Sequence, residues 1–191
     1  MLLRPSGEVV RVGVTVTFLR MESPPTDPAP ALPANARVEA RPDCTAAQFR
    51  ALYDGVGADY VWWLRRTLSE RELTAHLRRP GIRIHVLQVE GRDAGFYELD
   101  ATYWPVVNLS YFGLLPWAVG GGYGRAFLRD AIDRAWRWGP AVVTVNTCTA
   151  DHPRALPTYL GAGFQIVRRI DELWEVPVRL GMTIPDSLVV R

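Results

Sequence analysis

Residues 106–138 restrict the fold more than any other stretch of this chain, because they read as strand, glycine-rich turn and amphipathic helix in immediate succession. Val106–Leu115 is almost wholly apolar, β-branched or aromatic, as in a strand covered on both faces. Pro116 has no ladder donor to offer and ends it. Gly120-Gly121-Gly122-Tyr123-Gly124 comes next. Ala126, Phe127, Ala131, Ala135 and Trp138 then recur at spacings of three or four, with Arg125, Arg129, Asp130, Asp133, Arg134 and Arg137 between them, until Gly139-Pro140 stops the helix. Glycines at a helix start leave its first N–H groups free, at the positive end of the macrodipole and with no Cβ in front of them. Such a place suits phosphate or pyrophosphate. The glycines alone are equally compatible with a turn that binds nothing. Two nucleotide motifs fail outright: no Lys-Ser/Thr pair follows the glycines, and G-x-G-x-x-G meets Arg125 at its third position.

Composition removes several classes of function. A net charge of +2 is too small to argue for nucleic acid or an anionic membrane. All 22 basic residues are arginine, so no lysine can act as nucleophile or Schiff base. The three histidines and two cysteines are too scattered for metal-ligand spacing, and no metal is expected. Cys44 and Cys148 read as reduced thiols, Cys148 as a small buried hydrophobe. Met1–Gly7 has no apolar signal region and no run reaches membrane-spanning length, so a cytoplasmic protein is the expectation.

In chain order, residues 8–20 alternate as a half-buried strand, with Val10, Val12, Val14, Val16 and Phe18 on its apolar face. Residues 22–35 hold five prolines and read as a semi-rigid linker. The first strand should therefore pair at an edge or with a second subunit, as in a homodimer. Residues 1–36 form one expected segment and 37–191 the main domain. A strand at 37–41, a helix from Thr45 to Val56 and a capping box at Ser69-Glu70-Arg71-Glu72 follow. Strands at 82–89, 94–101 and 106–115 look antiparallel. A strand at 141–149 leads to a helix with Asp151 as N-cap and Pro153 in its first turn. Strands at 164–170 and 173–178 finish the chain. The succession implies a mixed sheet with helices on both faces.

The loop and helix resemble motif A of the GNAT (GCN5-related) acyl-CoA N-acetyltransferases, Q/R-x-x-G-x-G/A opening a helix. It falls on Val119-Gly120-Gly121-Gly122-Tyr123-Gly124, with Val119 where the family has Arg or Gln. Residues 155–164, ALPTYLGAGF, resemble a second landmark, A-x-x-x-Y-x-x-x-G-F. His152 stands where many members have Asn, and Pro157 inside this helix is unusual. The element order is also the family's, and the resemblance covers residues 37–178. It implies an α/β GNAT fold, a twisted mixed sheet flanked by helices on both faces, with an extra N-terminal strand. It also implies transfer of an acetyl group from acetyl-CoA to a primary amine, direct within a ternary complex. A non-catalytic acyl-CoA-binding module of the same fold is the alternative.

By the same resemblance, Tyr111–Leu115 form the strand whose backbone pairs with pantetheine, with Phe112, Gly113, Leu114 and Leu115 as cofactor contacts. Val119, Gly120, Gly121, Gly122, Tyr123, Gly124 and Arg125 would hold the pyrophosphate, and His152 would contact phosphate or serve as a base, with helix capping as the simpler account. Tyr159 matches the tyrosine that hydrogen-bonds and protonates the CoA sulfur, and with the flanking motif present that role is favoured over a helix tyrosine packed under the sheet. Glu98 and Asp100 lie two apart on one strand, on the face of Phe96. Glu98 is thus a candidate base and Asp100 an attraction for a cationic amine, while strand carboxylates usually face solvent. Trp62, Trp63 and Tyr111, with Tyr103 and Trp104, suit an acceptor wall, although large aromatics more often pack in cores. His76 and His85 read as surface residues. The acceptor would be a small-molecule amine or a protein or peptide amine, with no nucleic acid or membrane partner.

Overall fold

A computed structural model describes residues 7–190; the reading of the opening residues as lacking a signal segment falls largely outside them. Eleven elements follow one another: β1 (Val9–Met21), β2 (Ala36–Ala40), α1 (Ala46–Gly57), α2 (Glu70–Leu77), β3 (Ile82–Val89), β4 (Arg92–Asp100), β5 (Val106–Leu114), α3 (Gly124–Trp136), β6 (Val142–Cys148), α4 (Ala155–Gly161) and β7 (Gln165–Pro177). The strands make one mixed sheet in the order β2-β3-β4-β5-β6-β1-β7. β2 to β5 pair antiparallel, β3, β4 and β5 through short connections and β2 with β3 across the segment that carries α1 and α2, whereas the α3 crossover makes β5 and β6 parallel.

Each face of the sheet buries a different set of helices. Ile82, Ile84, Val86 and Phe96 pack against Phe49, Leu52, Tyr53 and Val56 of α1 and Leu73 and Leu77 of α2. On the other face Leu87, Tyr97, Leu99, Val107 and Leu109 meet Phe127, Leu128, Ala131 and Ile132 of α3 and Tyr159 of α4. Both helices of the first face start on capping boxes. Thr45 accepts from the Gln48 N–H at 3.2 Å and Ser69 from the Glu72 N–H at 3.2 Å, each reciprocated by the partner side chain. Such a cap contributes about 1 kcal/mol. α1 sits so close to the sheet that a Cβ on Gly113 would collide with Val56.

Four expectations are corrected. β1 is not an edge strand: it lies inside the sheet, antiparallel to β6 on one side and to β7 on the other. Its expected apolar face holds: Val10, Val12, Val14, Val16 and Phe18 pack in one cluster, with Phe18 half buried beneath Arg168, while Leu19 and Met21, on the alternate positions, pack in the main core on the opposite face. The two final strands are a single strand, β7. α4 begins at Ala155 after Arg154, so Asp151 is not its N-cap. Finally, His76 and His85 are buried. His85 stacks on Tyr97 at 4.8 Å, and burial pushes its pKa down to about 4.

Candidate active site

The parallel pair β5–β6 is short. Its register runs from Val106↔Val142 to Leu109↔Val145 and then stops. Beyond that point β5 stays with β4 as far as Leu114↔Gly95, and β6 stays with β1 as far as Cys148↔Val16. The two strands separate. The break coincides with a bulge at Ser110, which the β5–β4 register skips between Leu109 and Tyr111. Residues 110–114 therefore have no strand on their β6 side, and their inward backbone groups need another partner.

A cleft of about 1720 Å³ opens at this gap. One end is formed by the glycine loop and the start of α3. Gly120 and Gly122 adopt φ of +85° and +83°, and a Cβ at either would meet nothing within 4 Å, so both face open space. Val119, Gly120, Gly122, Gly124 and Arg125 line the cleft, as do Phe112, Gly113, Leu114, His152 and Tyr159. Leu115, Gly121 and Tyr123 do not line it; the Tyr123 ring lies against Gly121. Four arginines reach the cleft. Arg65 pairs with Glu98 and Arg129 with Asp27 and Asp133, while Arg125 and Arg154 have no ion pair among the described residues. Two unpaired cations and a glycine-lined helix start suit an anionic group.

Tyr159 stands where β5 and β6 part. Its ring packs against Phe112 at 6.3 Å and Phe164 at 6.0 Å, and no side-chain hydrogen bond holds its hydroxyl among the described residues. Burial, followed by the charge of Asp151, raises its pKa above the ordinary phenol value, so the proton stays on oxygen and can be donated. Cys148 also lines the cleft. Burial first, then Asp151, pushes its thiol up to about 12, which leaves it a poor nucleophile near neutral pH. His152 lies just before α4, its Nδ1 accepting from the Arg154 N–H at 3.0 Å in the approach to the helix, and its ring lies 6.0 Å from that of Tyr60.

Glu98 does point to the α1–α2 face with Phe96, but it does not line the cleft. It is 0 % exposed. Its Oε1 accepts from Arg65 Nη2 at 2.9 Å and lies 3.0 Å from His76 Nε2. Asp100 accepts the Thr102 N–H at 2.7 Å, closing the turn after β4, and is also outside the cleft. Trp62, Trp63 and Tyr111 do line it, whereas Tyr103 and Trp104 are exposed elsewhere. Several lining residues escaped the sequence reading: Asp151, Arg65, Arg154, Tyr53, Tyr60 and the 22–30 linker, which walls the glycine-loop end. A carboxylate immediately beyond a strand of the opening was the available signal for Asp151. No helix among the described residues is long and apolar enough to cross a membrane.

The described residues form an open mixed sheet whose central parallel pair splays in front of a glycine-led helix. Solved structures specify it further: the chain has the fold of the GCN5-related N-acetyltransferases. One such enzyme from Sphaerobacter thermophilus aligns with a TM-score of 0.59 at 18% identity, over 89% of this chain and 53% of its own. The tandem GNAT protein of the clavulanic acid biosynthesis pathway gives 0.59 at 16%, over 87% and 55%. An aminoglycoside acetyltransferase from an uncultured soil metagenomic sample gives 0.56 at 14%, over 68% and 88%. The chain thus spans about half the length of the first two. Its sequence matches no family model and no curated protein.

Proposed function

We propose that this chain is an acyl-CoA-dependent N-acyltransferase that moves an acetyl group directly to an amine within a ternary complex. The observation that carries this reading is the unpaired inner edge of β5 over residues 110–114, an extended backbone ladder open to an extended amide-bearing chain such as pantetheine. Acetyl-CoA supplies the activated acyl thioester. Backbone groups of Tyr111–Leu114 align it, the glycine loop and Arg125 receive its diphosphate, and Tyr159 donates a proton to the departing sulfur. The raised Cys148 thiol favours direct transfer over an acyl-cysteine route.

Acetyl-CoA at a hundredfold excess over Kd should stabilise the fold by about 2.7 kcal/mol. In a domain of this size the melting temperature should rise by roughly 5–10 °C. A clear shift with ATP or NAD and none with millimolar acetyl-CoA would end the proposal. Gly124 tests the loop. It has no positive φ and a Cβ there meets nothing within 4 Å, so Gly124→Val fits the fold while filling the space before the helix. Valine at Gly122 would instead strain a backbone at φ +83°. Gly124→Val should weaken acetyl-CoA at least tenfold, or about 1.4 kcal/mol, by calorimetry, with unchanged melting of the free protein. Unaltered affinity would make the loop a mere turn.

A further inference from the structure

Three carboxylates face the cleft: Glu22, Asp27 and Asp151. Glu22 pairs with Arg20 at 3.1 Å and Asp27 with Arg129 at 3.3 Å. Asp151 has no cationic partner among the described residues. Its hydrogen bonds come from neutral donors, the Trp62 indole at 3.1 Å, the Thr147 hydroxyl at 2.8 Å and the Cys148 N–H at 2.9 Å. These fix the carboxylate in place without cancelling its charge. The wall around it is aromatic. Trp62 lies 5.1 Å from Tyr111, Tyr111 lies 5.0 Å from Tyr53, and Tyr60, Trp63 and Trp174 line the same cleft. Arg65, the guanidinium of this wall, is already matched by Glu98 and stands 5.4 Å from the Tyr111 ring centre. The corner thus combines one uncompensated negative charge with rings that attract a cation and bury an apolar body.

We infer that this corner is the acceptor subsite for a monocationic primary amine with a flat apolar body, and that Asp151 holds its ammonium group and accepts a proton from it. The inference rests on the acyltransferase reading above and names its acceptor class. A polycation would leave most of its charges without a carboxylate. A zwitterionic amino acid would bring a second carboxylate against Asp151. In the reaction the ammonium gives one proton to Asp151, and the neutral nitrogen bonds to the thioester carbonyl carbon. The carbon–sulfur bond then breaks, and the sulfur takes the Tyr159 proton. The second nitrogen proton returns to Tyr159 through solvent, and Asp151 releases its own. Ammonium and acetyl thioester become acetamide, thiol and one free proton.

The test uses the full chain, as wild type and Asp151→Asn, with acetyl-CoA and four acceptors: 2-phenylethylamine, spermidine, sisomicin and phenylalanine. Wild-type kcat/KM for 2-phenylethylamine should exceed the other three by at least about tenfold. Asp151→Asn, whose NH2 replaces one of two accepting oxygens, should melt somewhat lower but stay folded and bind acetyl-CoA equally, yet lose about a hundredfold in kcat/KM for the amine. Its residual rate should follow the neutral-amine fraction as pH rises, whereas the wild type also turns over the cation. Inhibition by 2-phenylethanol, which has the ring and no charge, should be the same in both. A preference for the polycations or the zwitterion, or a variant within about threefold of wild type, overturns the inference. If the variant does not fold, the wild-type ranking alone decides. Failure of wild type to bind acetyl-CoA would instead remove the acyltransferase reading. Acetyl-CoA binding with none of the four acceptors consumed sinks the acceptor assignment and leaves that reading standing.

Discussion

Tyr159→Phe should lower kcat by about 10²–10⁴-fold, with acetyl-CoA affinity changed far less. The substitution keeps the ring against Phe112 and Phe164 and removes only the hydroxyl. An alkyl thiolate is a poor leaving group unless it is protonated as it departs. The phenol of Tyr159 is raised by burial, which makes it a weaker acid than in water. A thiolate leaving into the same buried space is desolvated as well, and so becomes a stronger base. The two shifts run in parallel and keep the transfer matched. A thioester with a more acidic leaving group should recover much of the loss, because its thiolate needs less help. Steady-state kcat beside calorimetric Kd decides the matter. If kcat stays within about threefold of wild type, Tyr159 only packs.

Glu98→Ala should have the largest effect on stability, about 3–5 kcal/mol. The carboxylate is 0 % exposed and bridges Arg65 and His76, so its loss leaves the Arg65 guanidinium without a counter-charge beside Tyr53 and Tyr111. Burial alone would lower the Arg65 pKa, and it is Glu98, with the tyrosines, that holds it above the ordinary value. Melting should fall by roughly 10 °C. Replacing the pair together, as Glu98→Leu with Arg65→Met, should restore much of this, since an apolar pair of similar volume avoids the desolvation of both charges. A Glu98→Ala protein within about 1 kcal/mol of wild type but a hundredfold slower would return Glu98 to the role of base.

Elements whose pattern is local were legible in the sequence. Both the strand–glycine–helix passage and the Ser69 capping box depend on residues within a few positions of one another, and both stand where the sequence put them. Features set by distant partners were not. Glu98 reads as a solvent-facing strand carboxylate until Arg65 and His76, 33 and 22 residues away, close over it. Asp151 reads as a helix cap because Asp before a helical pattern is the commonest reason for Asp there. Only the indole of Trp62, 89 residues earlier, shows that it faces a pocket. The linker's prolines exclude regular structure but not contact, and the Arg129–Asp27 pair that holds them to α3 spans 102 residues.

The interior position of β1 has a consequence for synthesis. Its partners are β6, with Met21 opposite Val143, and β7, with Val9 opposite Pro177. A nascent chain therefore carries a thirteen-residue, valine-rich strand with one edge bare until β6 is made and the other until β7 is made. At translation rates of 5–20 residues per second this lasts roughly 10–30 s. Pairing across such sequence distances also closes the largest loops of the fold, which slows its last step. Chaperone demand should accordingly fall on the first two dozen residues, and a chain released before β7 emerges should aggregate through them. Moving β1 behind β7 by circular permutation would shorten that interval, with the new cut falling at the edge of the cleft, where Met21 and Glu22 line it.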